Sequence, residues 1–202
     1  PAEREKAERI VNIFKPLYES TQILKIGQNI KYDMEVLMNY GVRLAAPMFD
    51  TMIAHYVLQP EQKHNMDILA ETLLGYQTIH IDELIGPKGK SQKNMRSLSP
   101  ADICDYAAED ADVTLRLYNV LKPRLKEADV EDLFYNIEMP LVPVLAEMET
   151  NGVLLDTDAL AETSKVLTSR MTQIEQEIYK LAGHQFNIAS PKQVGEVLFG
   201  EM

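Results

Sequence analysis

The chain has 202 residues, 46% of them apolar and 25% charged, with ten prolines and nine glycines spread along it. That length allows one large domain or two small ones, and the composition excludes disordered and collagen-like chains. Thirty-one acids against twenty bases give a formal net charge of −11, which disfavours coating of nucleic acid by bulk attraction but suits carboxylates gathered around divalent metals. No run approaches the ~18 apolar residues of a membrane span, and the opening PAEREKAERI lacks the apolar core of a signal peptide. Cys104 stands alone, so neither an internal disulfide nor a thiolate metal cluster can form. These features predict a cytoplasmic protein with no membrane partner.

In chain order, the pattern predicts a helix over about residues 2–18 and a short strand from Gln22 to Ile26, bounded by Gly27. Asn29 is placed to cap a helix carrying Ile30, Val36 and Leu37 that ends at Gly41. Asp50 caps a further helix through Leu58, and HNMDILAETLLG reads as another, ended by Gly75. The segment Gly86 to Arg96 holds Lys88, Lys90, Lys93 and Arg96 and no acid, so it is +4 while the remainder is −15. Ser99, Pro100 and Asp102 make a strong helix start, with a hydroxyl cap, proline in the first turn and an acid near the N-terminus. That helix is expected to stop or kink near Pro123.

Beyond this point the organisation changes. NIEMPLVPVLAEMETNGVLLD reads as a helix with early prolines, an Asn151-Gly152 turn and a short apolar strand. A helix of about 26 residues follows from Asp156 to Leu181, closed by Gly183. Its apolar positions drift from a strict heptad, which predicts packing against further elements rather than a dimeric coiled coil. The polar stretch EADVED places a domain boundary around residues 127–136, dividing a mixed α/β part, residues 1–130, from a mostly helical part, residues 131–202.

Chemistry enters through two pairs of equal spacing, Asn29 with Asp33 and Tyr106 with Asp110. Residues four apart share a helix face, so each helix can present one carboxylate and one hydrogen-bonding neighbour to the same point. Carboxylates are the hard oxygen ligands that Mg²⁺ or Mn²⁺ requires, and a tyrosine hydroxyl can orient a water for attack on a phosphodiester. The spacing is equally consistent with Asp33 as a first-turn acid, Asp110 as a solvated acid and Tyr106 as a core ring.

The wording around these pairs narrows the choice. GQNIKYDMEVL, YAAEDADVTLRLY and NIEMPLVPVLAEMETNGVLLD, in this order and at these separations, resemble the proofreading exonuclease domain of bacterial family A DNA polymerases and its junction with the polymerase domain. The resemblance covers nearly the whole chain. It implies an RNase H-like (DnaQ-like, DEDDy-type) α/β exonuclease fold lacking its first strands, followed by the mostly helical start of a polymerase domain, including the base of the thumb. It also implies 3′–5′ proofreading by two-metal hydrolysis, with Asp110 ligating one Mg²⁺ or Mn²⁺ ion, Asp33 holding a second through water, and Tyr106 orienting the nucleophile. Asn29 matches the same motif and is expected to contact substrate, as are Lys88, Lys90, Lys93 and Arg96, which suit the phosphates of a single-stranded 3′ end. A mobile, solvated loop is the plain alternative for those four cations.

The family also needs an Asp-x-Glu motif before Asp33, where this sequence has no aspartate. Asp129-Val130-Glu131 has the letters but falls after the third motif. The metal site is therefore expected to be incomplete, and residues 1–202 alone inactive. Pro1 and Met202 both interrupt helical patterns, so the chain reads as a piece of a longer polymerase, expected to be monomeric and to act on primer-template DNA. Two alternatives are a stand-alone ribonuclease D-like exonuclease, against which the NIEMP junction argues, and a non-catalytic exonuclease-like scaffold, against which Asp33, Tyr106 and Asp110 argue. His64 is expected at the surface or as a cap; His55, His80 and His184 have no partner at ligand spacing, and Cys104 is expected to pack.

Overall fold

The computed structural model describes residues 2–201, which form two compact units divided between Gly152 and Val153. In the first, α1 (Ala2–Tyr18) leads into β1 (Lys25–Gly27) and α2 (Ile30–Met38), then β2 (Met48–Asp50) and α3 (Thr51–Leu58). The chain continues through α4 (Met66–Leu69), which widens into a π turn at Ala70–Leu74, and α5 (Ile81–Ile85) to α6 (Pro100–Glu127). Then follow α7 (Glu131–Leu133), a second π turn at Phe134–Glu138, and α8 (Met139–Asn151). The second unit holds α9 (Thr157–Ala182) and α10 (Pro191–Glu196). No helix among the described residues is long and apolar enough to cross a membrane.

The strands pair in parallel, with Lys25 opposite Met48, Ile26 opposite Phe49 and Gly27 opposite Asp50. The strand expected at Gln22 to Ile26 thus sits later, and β2 had no sequence signal because MFD is too short to alternate. Each strand runs straight into a helix, and Asp50 joins the two. Its buried carboxylate accepts from Asn29 N at 3.2 Å and Ile30 N at 2.7 Å on α2, and from Met52 N at 2.8 Å and Ile53 N at 3.2 Å on α3. Burial pushes this acid upward while the four N–H donors hold it down. Asn29 does not cap α2 with its side chain; it takes the left-handed conformation (φ 61°) that turns its N–H toward Asp50. Asp50 is the cap of both helices.

The core is built on one stripe of α6. Val113, Leu117, Leu121 and Leu125, spaced one turn apart, are all fully buried, and each such side chain contributes about 1.5–3 kcal/mol. Phe49 of β2 meets the Tyr118 ring edge-on at 4.8 Å and Phe134 at the same distance. The stripe continues past Pro123, and α6 does the same instead of ending there: burying Leu125 offsets the ~3 kcal/mol disturbance of an interior proline. At its start, the reciprocal Ser99–Asp102 capping box forms as the residues predict.

After α8, which ends at Gly152, Val153, Leu154 and Leu155 do not form the expected strand; they are irregular, and Leu154 is 98% exposed. Asp156 caps α9 through Ala159 N at 2.9 Å, and Gly183 closes it in the left-handed conformation (φ 80°). Replacing Asp50 with Ala removes two caps at once and is expected to lower stability by about 2–4 kcal/mol. Asn, which keeps one acceptor oxygen, should cost roughly half of that; urea-denaturation midpoints of the three proteins check the order.

Candidate active site

The carboxyl ends of two parallel strands and the helices that follow them leave a crevice, the usual place for a ligand in such sheets. Here it is a cleft of about 740 Å³, walled by Gly27 and Gln28 after β1, Asp33 on α2, and Asp110 and Thr114 on α6. Gly27 has a steric reason to be there: a Cβ would lie 2.9 Å from Ile30 Cβ and Cγ1, forcing the start of α2 away from the strand. The cleft therefore depends on close contact between the strand end and the first turn of α2.

Asp33 and Asp110 come from helices 77 positions apart in the sequence and border the same space. Asp33 opens to solvent through the cleft, yet burial among the surrounding walls pushes its carboxyl upward, and the Asp50 charge adds to this. Burial also raises Asp110, helped by Glu109 and Asp67. Tyr106 stands one turn before Asp110, beside the lining of the cleft; its phenol is raised by burial first and by the Asp110 charge second. Unpaired, partly desolvated carboxylates of this kind are poised to take a cation or a proton.

The acidic face of α6 is braced from outside. Glu109 accepts from the Tyr76 hydroxyl at 2.7 Å and from Ile79 N at 2.8 Å. Asp67, on α4, accepts from the Thr78 hydroxyl at 2.9 Å and lies 3.5 Å from His80 Nδ1. The 76–80 segment is so tied to both sides of the acids that it cannot shift without breaking charge-assisted bonds.

Lys88, Lys90, Lys93 and Arg96 are exposed and, among the described residues, stand in no ion pair. Their loop is held by its own bonds, Lys93 N to Ile85 O at 2.8 Å and Gln92 Nε2 to Gly86 O at 3.1 Å, and it ends in a 3₁₀ turn at Met95–Ser97. Three other residues depart from expectation. Cys104 is exposed rather than packed. His64 is half-buried, and His55 has a partner after all, since their Nδ1 atoms are 2.8 Å apart. The sequence reading also overlooked Gln28 and Asp67, whose places depend on contacts with distant segments.

Among the described residues no group of three or more His, Cys, Asp or Glu is arranged to hold a metal ion. Asp33 and Asp110 are oxygen donors of the right kind for Mg²⁺ or Mn²⁺, but two carboxylates make part of a ligand set.

A family model described as 3′–5′ exonuclease matches residues 1–126, and one described as DNA polymerase family A matches residues 157–202. DNA polymerase I of Rhizobium leguminosarum is 43% identical over 189 residues, covering 93% of this chain and 18% of the relative; that of Pseudomonas aeruginosa is 40% identical over 199 residues, covering 96% and 22%. The chain thus spans about a fifth of the length of these curated relatives. Among solved structures, the POL domain of Pol1 from M. smegmatis, in complex with DNA primer-template and dNTP, superposes with a TM-score of 0.75 at 24% identity, over 94% of this chain and 30% of that one. Brucella melitensis NrnC bound to pGG gives a TM-score of 0.55 at 23% identity, over 68% and 63%. These two likenesses bear on the fold alone; the family models identify an exonuclease unit followed by the helical start of a polymerase. By the match over its first 126 residues, the chain belongs to the 3′–5′ exonuclease family of the family A DNA polymerases.

Proposed function

We propose that this chain supplies half of the metal-binding carboxylates and most of the substrate cleft of a proofreading exonuclease within a cytoplasmic DNA polymerase. The observation that carries the reading is the convergence of Asp33 and Asp110 on one cleft, both held above the ordinary carboxylate range by burial. The substrate is the single-stranded 3′ end of DNA, and the polymerase of which the chain is part extends primer-template DNA. The proposed division between an exonuclease part, residues 1–130, and a polymerase part, residues 131–202, lies within the stretch 127–156 that neither family model matches.

In this reading Asp110 and Asp33 ligate divalent cations, two in the complete site, together with carboxylates beyond this pair. When bound, the cations supply Lewis-acid polarisation of the scissile phosphodiester and neutralise the charge that develops on it. Tyr106 holds the attacking water in line through its hydroxyl, which as a phenol is a hydrogen-bond donor at neutral pH. Asn29 and the Lys88, Lys90, Lys93 and Arg96 loop bind the strand, the loop through phosphates on an otherwise acidic surface.

In a polymerase of the relatives' full length carrying this sequence, Asp33→Ala or Asp110→Ala is expected to lower 3′ exonuclease turnover at least ~100-fold while polymerisation survives. Tyr106→Phe should cost less. Normal proofreading by either aspartate variant would sink the assignment. Replacing Lys88, Lys90 and Lys93 with Gln should weaken single-strand binding and flatten its salt dependence; an unchanged slope leaves a solvated loop.

The raised carboxylates also predict a stability signature. An acid whose folded value is raised contributes stability below its unfolded value, about pH 4, and loses it as pH rises through the folded value. Asp110→Asn should therefore raise the melting temperature by a few degrees at pH 7 and not at pH 4. Equal shifts at the two pH values would show that Asp110 carries no burial penalty.

A further inference from the structure

Next to the acidic cleft, the two histidines around the α3–α4 connection make an arrangement that the chemistry above does not use. His55 of α3 is 2% exposed, and its Nδ1 lies 2.8 Å from that of His64. Among the described residues, His55 Nε2 is buried without a hydrogen-bond partner, and the ring meets His64 through Nδ1. Tyr56 meets the His64 ring edge-on at 5.3 Å. The backbone carbonyl of His64 in turn accepts from Gln28 Nε2 at 2.7 Å, and the Thr51 hydroxyl donates to Gln28 Oε1. Gln28 is part of the cleft wall that also holds Asp33 and Asp110. One amide in that wall is thus gripped at both ends, and one grip is the backbone of a histidine.

Two imidazoles share an Nδ1 contact only when one nitrogen donates and the other accepts. A neutral pair and a singly protonated pair both satisfy this. A doubly protonated pair brings two N–H groups and two positive charges together, and the contact opens. The charged and titratable groups that face His55 are His64 and, from α6, Arg124, with the Gln59 side chain beside its ring. Burial holds His55 below the ordinary histidine value, the His64 charge lowers it further, Gln59 opposes and Arg124 adds a smaller lowering. A histidine lowered in this way favours the folded contact above about pH 6.5 and withdraws that support as pH falls.

We propose that His55 and His64 are positioning residues whose contact acts as a proton-sensitive latch: closed, it fixes the Gln28 amide in the wall of the nuclease cleft; open, it releases the amide and weakens binding of the strand. The proposal rests on the exonuclease reading for what the cleft binds. The latch itself is independent of it. It predicts that ground-state binding, more than the chemical step, responds to acid.

The test follows the Gln28 side-chain amide and the His55 ring by NMR in the isotope-labelled 202-residue chain between pH 5 and 8. The two are expected to move with one midpoint. His64→Phe keeps a ring against Tyr56 but removes the ring nitrogens that meet His55, and it should flatten the Gln28 response. Gln28 signals that stay still, or that keep their midpoint in His64→Phe, overturn the latch; if that variant does not fold, separate midpoints in the unmodified chain overturn it alone. In the full-length polymerase, the exonuclease KM for a single-stranded oligonucleotide should rise about tenfold from pH 7.5 to 5.5 and become pH-independent in His64→Phe. A KM that ignores the titration overturns the positioning role. The exonuclease reading fails by a different result, normal proofreading by Asp110→Ala.

Discussion

Two parallel strands deliver two helix N-termini to the same place, and their partial positive charges would repel unless something negative stood between them. Asp50 is that anion. Four backbone N–H groups from two helices converge on its carboxylate, which satisfies donors that burial would otherwise leave stranded. The direction of α2, and with it the aim of Asp33, is set at this point. So is the start of α3, which carries His55 into the interior. Gly27 adds the complementary constraint by letting Ile30 approach the strand end closely.

Against that anchored half, α6 supplies the opposite wall. Its buried stripe from Val113 to Leu125 locks the helix into the core, while its N-terminal half brings Asp110 to the cleft. The two functional carboxylates are thus held by structure that does not neutralise them. Asp50 is surrounded by donors; Asp33 and Asp110 accept no side-chain hydrogen bond among the described residues and are raised by burial. Within one small unit the same residue type serves as a satisfied structural anion and as an unsatisfied ligand, and the difference lies in who faces it.

What could be read from the sequence was local. Ser99 with Asp102, Asp156 before α9, and the glycines that end the π turn at Gly75 and α9 at Gly183 all act within a turn or two of their own position, and they stand where their spacing implied. The pairs Asn29 with Asp33 and Tyr106 with Asp110 were legible as candidates for the same reason. The rest depends on distance. That Asp50 caps a helix twenty residues before it, that His55 meets His64 across a connection, and that Gln28 reaches the His64 carbonyl cannot follow from any periodicity. Short strands failed for another reason: three residues offer no alternation, and the apolar Val153-Leu154-Leu155 run has no partner strand among the described residues.

The length of α6 has a consequence for how such a sequence can vary. One unbroken helix of 28 residues carries both the core stripe and Asp110, and each residue in it is fixed at about 100° to the next. Substitutions along it change size or polarity at one point. A single inserted or deleted residue between Asp110 and Val113 would instead turn one end against the other by that angle, so that either the leucines leave the core or the carboxylate swings out of the cleft. Side chains are therefore freer to drift here than the count of residues is, and comparison of relatives over this stretch should be free of gaps even where identity is low. In this segment, spacing is inherited more strictly than letters.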